Sequence, residues 1–477
     1  MCGGDVSKRG YFLLGLGLPL LVLAMLFYFR PFWGLMDDGV NVFLVEKMRS
    51  EGIFRIWWDM SMYDIFQQGR MRLMYFLMVP VIYMPAAGSS VVAFAINIVW
   101  VCLTFAFVAA ASWPSLSYAY GLKNKAFAVF LFFVLCFAYP WTMHAFRAPS
   151  VHEKLVIFFA GLVLAAQYSK FASRSLPHWL GVMVPSLVLA LNTKEQIALY
   201  FPIFLAAQVH VDSQKKNYRR TALLLFLLLA SAGVIKWVGT HGTYKSAYGL
   251  ERAKITLRNS KSLYLFLALA FSAQAAAFVD FLKHRKWPRL LLASSYPAGL
   301  VLFVLLMLPW GMGGYLNCAA TIFVVACAIA LGKFARTHWR AFGRLPLKFL
   351  GASAYGLAVL VTVVTVAPDL SAYADLRRIF ESREIEEVAA SGKTLWMPCS
   401  EGAGTMQTYW KEFRGVDLKV RVPADPSSMR AGEYWLGSFP RCTNGEDFAQ
   451  WVAKGEAVAM VAPAAKGGFM LLKRGTK

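Results

Sequence analysis

The sequence predicts a polytopic α-helical membrane protein carrying a small α/β domain at its C-terminal end, and three observations carry that reading. Of 477 residues, 58% are hydrophobic and 16% charged, whereas a soluble domain has about 45–50% apolar and about 25% charged residues. Apolar runs long enough to approach membrane-crossing length recur from residue 11 to residue 367, and beyond Pro368 charged residues return. The basic residues, finally, concentrate in alternate loops between those runs. A water-soluble globule and a disordered chain are both excluded by this composition. An aromatic content of 15% suits a chain with many membrane interfaces to anchor.

A hydrocarbon core about 30 Å thick needs about 20 apolar residues per helical crossing. Residues 11–29 supply the first span. It reads as a retained anchor, because the run is long for a signal peptide and no A-x-A-like site follows it. Further runs fall near 91–111, 126–141, 154–169, 177–193, 196–209, 221–239, 262–282, 290–308, 318–332 and 349–367. About eleven spans result, within a range of 11–13. A cytoplasmic N-terminus then places 1–10, 112–125, 170–176, 210–220, 283–289 and 333–348 inside. Those loops hold nineteen Lys and Arg against Asp5 and Asp212. This is the positive-inside pattern, and it accounts for most of the net charge of +23 without any nucleic acid. Residues 73–87, interrupted by Pro80 and Pro85, read as a short membrane-dipping helix, since a full crossing would invert every later loop. The chain therefore divides into a membrane module, 1–368, and an extracytoplasmic domain, 369–477. The first outer loop, 30–72, is expected to hold helices lying along the membrane surface.

In the outer domain, DLRRIFESREIEEVAAS has helical charge spacing. The runs KTLWMP, DLKVRV, EYWLGSF, AVAMVA and GFMLLKR read as strands, with the helix-like GEDFAQWVAKG between two of them. Cys399 and Cys442 are a disulfide candidate in an oxidising compartment, and two unpaired thiols are the alternative. The other five cysteines, Cys2, Cys102, Cys136, Cys318 and Cys327, read as small apolar fillers.

Common energy-coupling and hydrolytic motifs are missing. There is no G-x-x-x-x-G-K-[ST] and no G-x-S-x-G, and His152-Glu153 opens an H-E-x-x-H that fails at Val156. Four constellations remain. Asp37 and Asp38 follow the first span by eight residues. Carboxylates so near a low-dielectric slab are costly unless paired or used, and coupling between neighbours raises one pKa, which suits a general base. A solvated loop pair or a helix N-cap is the plainer account. A second group is Arg147, His152, Glu153 and Lys154, at the outer end of one span. Third is the hairpin Asn192-Thr193-Lys194-Glu195-Gln196, where Lys194 and Glu195 either neutralise each other or serve a site at the outer interface. The fourth, residues 240–261, holds Lys245, Arg252, Lys254, Arg258 and Lys261 against Glu251 alone. Cations there oppose the positive-inside tendency. A bound phosphate would offset that cost, with Tyr244 and Tyr248 as further donors; attraction to anionic headgroups is the alternative.

An acidic pair just past the first span, a long first outer loop, roughly eleven spans and a C-terminal outer domain together resemble the GT-C superfamily of integral-membrane glycosyltransferases. Gln68-Gly69-Arg70 before the next apolar run is similar to bacterial members. The resemblance implies that Asp37 or Asp38 acts as base or orients the acceptor. It also implies a sugar on a polyprenyl phosphate as donor, with basic residues holding the leaving phosphate, here Arg147, Lys194, Lys245, Arg252, Lys254 and Arg258. Glu153, Glu195, His152, Tyr244 and Tyr248 would be supporting polar groups. Trp57-Trp58-Asp59 resembles the start of the oligosaccharyltransferase motif, but Tyr and Gly do not follow and it lies in the first outer loop, so transfer of a single sugar is expected. A divalent metal at Asp37 and Asp38 stays open. So do the sugar, a hexose or a pentose such as arabinose, and the acceptor, a glycan, a lipid or a protein such as a pilin. Expected localisation is the bacterial inner membrane. A surface-polysaccharide polymerase or ligase and a lipid-linked sugar flippase are the competing readings. A flippase would favour internal repeats and ionisable residues at mid-span, and neither is present in the sequence.

Overall fold

Long apolar stretches can satisfy their backbone polar groups in a membrane only by closing on themselves as helices, and this chain does so through most of its length. In the computed structural model the described residues are 8–33, 37–147, 149–151, 153–241, 253–254, 257–258, 260–308, 314–339, 346–380, 382–397, 407, 411, 415, 417–421, 432–438, 457–461 and 469–474. The helices are α1 (Lys8–Phe29), α2 (Asp37–Glu51), α3 (Ile53–Tyr63), α4 (Ser90–Tyr120), α5 (Lys125–Ala138), α6 (His144–Arg147), α7 (Glu153–Gln167) and α8 (Leu176–Leu191). They continue as α9 (Phe201–Lys215), α10 (Arg219–His241), α11 (Lys261–His284), α12 (Trp287–Met307), α13 (Thr321–His338), α14 (Leu347–Phe380) and α15 (Arg383–Ala390). Three of the starts carry side-chain caps: Ser89, Asn124 and Ser175 accept the backbone N–H of Val92, Phe127 and His178 at 3.4, 3.0 and 3.4 Å.

Seven of these helices are long and apolar enough to cross a membrane: α1, α4, α10, α11, α12, α13 with its leading turn, and α14. An eighth crossing results if Lys125–Ala138 and Pro140–Phe146, bent by 76°, count together. The expected spans near 154–169, 177–193 and 196–209 fall on α7, α8 and α9, of 15, 16 and 15 residues. At 1.5 Å per residue each is about 22–24 Å long, short of the hydrocarbon core. Their ends tighten into other conformations instead, as in the 3₁₀ turn Glu195–Tyr200 that leads into α9.

Contacts between loops define two ends of the bundle. At one end Arg289 donates to Ala119 O at 3.2 Å, Lys215 and Arg220 donate to Ser173 O at 2.9 and 3.4 Å, and Tyr11 meets Phe127 with ring centroids 5.9 Å apart. At the other, Ser90 Oγ donates to Pro31 O at 2.8 Å, Phe32 N to Tyr373 O at 2.9 Å and Met74 N to Asn192 O at 2.9 Å. Residues 73–87 contain turns and one π-helical turn, Val79–Tyr83, so the chain returns to the end it left. α3 exposes Phe54 and Trp58, one turn apart, while Ile56 is buried, an amphipathic face fitted to an interface.

The C-terminal part forms a five-stranded sheet of β1 (Leu395–Trp396), β2 (Val420–Arg421), β3 (Tyr434–Ser438), β4 (Ala457–Val461) and β5 (Phe469–Arg474). Their order is β2-β1-β3-β5-β4, with β2, β1 and β3 parallel and β5 antiparallel to both neighbours. All five expected strand runs lie on these strands. The boundary at Pro368 differs, because α14 runs straight through that proline to Phe380. Proline forfeits a single helix bond, and the helix around it has packing on both sides: Val366 and Leu370 join the membrane core, and Leu376 and Ile379 join a second core with Phe32, Trp33, Tyr83, Leu395 and Leu471. That second core unites the segment between α1 and α4 and the sheet at the same end of the bundle. Helix 445–455, expected from the sequence, and the Cys399–Cys442 candidate lie outside the described residues. Cys102, Cys136, Cys318 and Cys327 are free thiols among helices, as apolar fillers should be.

α12 and α13 touch most closely at Gly299, where an added Cβ would overlap the ring of Phe323. Gly299→Ala should destabilise the purified protein by about 1–3 kcal/mol, seen as a lower midpoint of unfolding in detergent. Gly181→Ala, with no atom within 4 Å of the new methyl, should leave it unchanged within about 0.5 kcal/mol.

Candidate active site at one end of the bundle

Six charged side chains converge where the segment between α1 and α4 meets the starts of α7 and α9. α3 runs into a π-helical turn, Asp64–Gln68, which Gly69 closes at φ 71°. Only a residue tolerant of the left-handed region fits there, and the reversal brings Arg70 and Arg72 back toward Asp64. Trp57 Nε1 holds the returning strand through Leu73 O at 2.7 Å. Asp64 is buried. Arg72 lies within electrostatic reach of Glu195, Asp64, Tyr75 and Glu153, and Asp64 within reach of Arg72, Arg70 and Glu195.

Glu153 and Lys194 form a buried ion pair, at 0% and 5% side-chain exposure. Lys154, also buried, turns the other way and donates to Asn97 Oδ1 on α4 and to Pro149 O at 2.5 Å. Asn97 in turn donates to Ala145 O at 2.8 Å. The beginning of α7 is thereby fastened to the α8–α9 hairpin by one residue and to α4 by the next. Burial pushes the Asp64 carboxyl above its ordinary range, against the pull of Arg72 and Arg70, and Glu195 adds to the rise. Burial likewise pulls the Lys194 ammonium below its ordinary value, with Glu153 opposing the shift.

Several polar atoms around this cluster are buried with no hydrogen-bond partner among the described residues: Arg72 Nε, Glu195 Oε2, Gln196 Oε1 and both amide atoms of Asn317. Such atoms are uncommon in protein interiors and call for a role. Here they give the cluster donors and acceptors to offer a polar ligand.

The residues singled out from the sequence are distributed unevenly. Lys194, Glu153 and Glu195 are in the cluster. Lys194 pairs with Glu153 and not with its neighbour: Lys194 is in extended conformation, with φ −172° and ψ 149°, while Glu195 opens the 3₁₀ turn. Asp37 and Asp38 are the first two residues of α2, next to the helix cap that is the plainer account of them, one turn before Asn41. Asn41 is buried and donates to the hydroxyl of Tyr75 at 3.5 Å, which links α2 to the Arg72 side of the cluster. The side chains of Asp37, Asp38 and Arg147 lie outside the described residues, as do His152, Tyr244, Lys245, Tyr248 and Arg252. Lys254 and Arg258 are exposed. α10, from which the chain enters that basic segment, packs against the Asp64–Gln68 turn. Sequence reasoning missed Asp64, Arg70 and Arg72 as site residues; Gly69, a turn former inside an otherwise helical charged stretch, was the available signal. No group of three or more His, Cys, Asp or Glu arranged to hold a metal ion occurs among the described residues.

Comparison with protein-family models, with curated proteins and with solved structures finds no match to this chain.

Breaking a buried ion pair leaves an uncompensated charge and costs about 3–5 kcal/mol, whereas replacing both partners costs far less. Glu153→Gln and Lys194→Met should each lower unfolding stability by that order, and the double variant should recover at least half of the loss. Additive losses would show the two charges to be energetically independent.

The direction of the Asp64 shift also fixes a pH dependence. Its folded pKa is raised, so its contribution to stability is fully present below the unfolded carboxylate value and is lost as pH rises through the higher folded value. Hydrogen exchange over residues 60–72, corrected for intrinsic rates, should show protection falling across that window. Asp64→Asn should flatten the dependence.

Proposed function

We propose that the protein is a GT-C-like glycosyltransferase that moves one sugar from a polyprenyl-phosphate donor to an acceptor hydroxyl at the extracytoplasmic face of the bacterial inner membrane. The observation that carries this reading is the acid–base cluster of buried Asp64, Glu153 and Lys194 with half-buried Glu195, Arg70 and Arg72, set at the end of the bundle where α2 begins with Asp37 and Asp38. In this reading the four shorter helices complete eleven passes. α7 leads from Glu153 toward the Ser173 end, α8 returns to Asn192, and α9 leads back to Lys215, which bonds Ser173. α5 likewise leads from the Phe127 end to Tyr139, whose hydroxyl donates to Asn317 O at 3.0 Å. The end rich in unpaired-sign cations is then cytoplasmic, by the positive-inside rule, and the cluster is extracytoplasmic.

The chemistry is a direct displacement. The acceptor O–H passes its proton to the carboxylate of Asp37 or Asp38, and its oxygen bonds to the anomeric carbon. The bond from that carbon to the phosphate oxygen breaks, its electron pair leaves on the polyprenyl phosphate, and the configuration inverts. Lys194 is already neutralised by Glu153. The electrostatic load at the departing phosphate therefore falls on Arg70 and Arg72 and on the basic segment that includes Lys254 and Arg258, where a well-placed donor is worth about 3 kcal/mol. Buried charges at the end of the bundle favour chemistry at a membrane face over carriage through the midplane, which a flippase requires.

The test is transfer from a polyprenyl-phosphate sugar in membranes containing wild-type protein, Asp37→Asn, Asp38→Asn or both. Loss of a positioned base lowers turnover by about 10²–10⁴-fold, so one single variant and the double should fall by that much with normal membrane insertion. Full turnover in all three, or donor movement without a new glycosidic bond, overturns the reading.

A further inference from the structure

The opposite end of the bundle carries a second, separate feature. α11 ends at His284 and α12 starts at Trp287, so only Arg285 and Lys286 connect them, and Arg285 makes the reversal in the left-handed region at φ 52°. A shallow cleft too tight to admit a water molecule lies between the two helices, with Asp280, His284, Lys286 and Arg289 on its rim and Phe281 and Ala293 among its apolar walls. Arg289 is committed on two sides, to Asp280 at 3.0 Å and to Ala119 O at 3.2 Å. Lys283 and Lys286 are exposed, and no ion pair to either occurs among the described residues. Below this rim the outer surface is apolar and exposed: Phe278, Leu282, Trp287 and Leu291. Trp287 packs on Phe281 with ring centroids 4.6 Å apart.

We propose that the surface of this turn, at the rim of the cleft, binds the headgroup of an anionic phospholipid, with the phosphate over the exposed ammonium groups of Lys283 and Lys286 and the acyl chains along Phe278, Leu282 and Leu291. Cationic charge above a continuous apolar wall matches a molecule that is anionic at one end and hydrocarbon at the other, and an aromatic side chain marks the boundary between them. A soluble anion would use the cations alone and leave the wall without a partner. The inference stands apart from the transferase reading, because the cleft lies at the other end of the bundle from the acid–base cluster.

The test is native mass spectrometry of the full chain purified in zwitterionic detergent, titrated with phosphatidylglycerol, with phosphatidylcholine or with inorganic phosphate. Phosphatidylglycerol should bind more tightly than phosphatidylcholine. Each cation removed should weaken it by about five-fold, so Lys283→Gln with Lys286→Gln should weaken it about 25-fold and leave phosphatidylcholine unchanged. Asp280→Asn removes the one acid on the rim and should shift affinity the other way. Equal binding of the two lipids overturns the proposal. So does an unchanged affinity in the double lysine variant, or a shift of the same sign in Asp280→Asn. Competition by inorganic phosphate at equal strength would mark a soluble-anion site instead and overturns it as well.

Discussion

A charge held out of water needs a partner, and the Glu153–Lys194 pair shows how much structure that requirement organises. The two residues are 41 positions apart and almost fully buried. Neither helix start can shift without exposing an ion to a medium where the loss would be several kcal/mol. Lys154 imposes the same condition toward α4 through Asn97, and Arg72, within reach of Glu195, Asp64 and Glu153, imposes it on the returning strand of the segment between α1 and α4. Four separate pieces of chain are thus registered against one another by electrostatics, at the end of the bundle where apolar packing between spans gives out.

The two ends solve the problem of charge in different ways. At the Ser173 end, lysines and arginines are mostly exposed and reach across to backbone carbonyls or to Asp280, keeping their heads in water while their stems lie on apolar helices. At the other end Arg49, Glu51, Arg55 and Asp59 are likewise exposed, but Asp64, Glu153, Lys154 and Lys194 are buried and face charged or polar partners. Exposed cations stabilise an orientation, whereas buried matched charges define a place. That asymmetry is why the chemistry is sought at only one end, although both are rich in ionisable residues.

Much of this was legible in the residues themselves. Apolar runs mark every helix of the bundle, and short apolar and aromatic runs mark all five strands, because each signal is local. The acidic pair was readable as a helix start for the same reason. What stayed hidden depends on partners distant in sequence. Asp64 and Arg72 look like two more charges on an amphipathic surface segment, and only the reversal at Gly69 and the docking of Met74 on Asn192 bring them to Glu195, more than a hundred residues away. Lys194 and Glu195 are neighbours in sequence, yet Lys194 takes its ion-pair partner from Glu153, 41 positions away. Pro368 read as an exit because proline is a breaker in isolation; two apolar cores on either side of it carry α14 through.

The charge balance of the cluster bears directly on the displacement in the transferase reading. Asp64, Glu153 and Glu195 stand against Arg70, Arg72 and Lys194, and Lys154 adds one cation beside them. Such a group suits a phosphodiester, which carries a single negative charge in a lipid-linked sugar donor. Cleavage turns that diester into a monoester able to carry a second charge, so the product is the species the cluster holds least well unless charge is moved. Burial raises the Asp64 carboxyl pKa against the pull of Arg72 and Arg70, which weakens its hold on the two arginines and eases that step. On this argument Asp64 sets how strongly the two arginines are drawn to the departing group, while proton removal from the acceptor belongs to the acids at the start of α2.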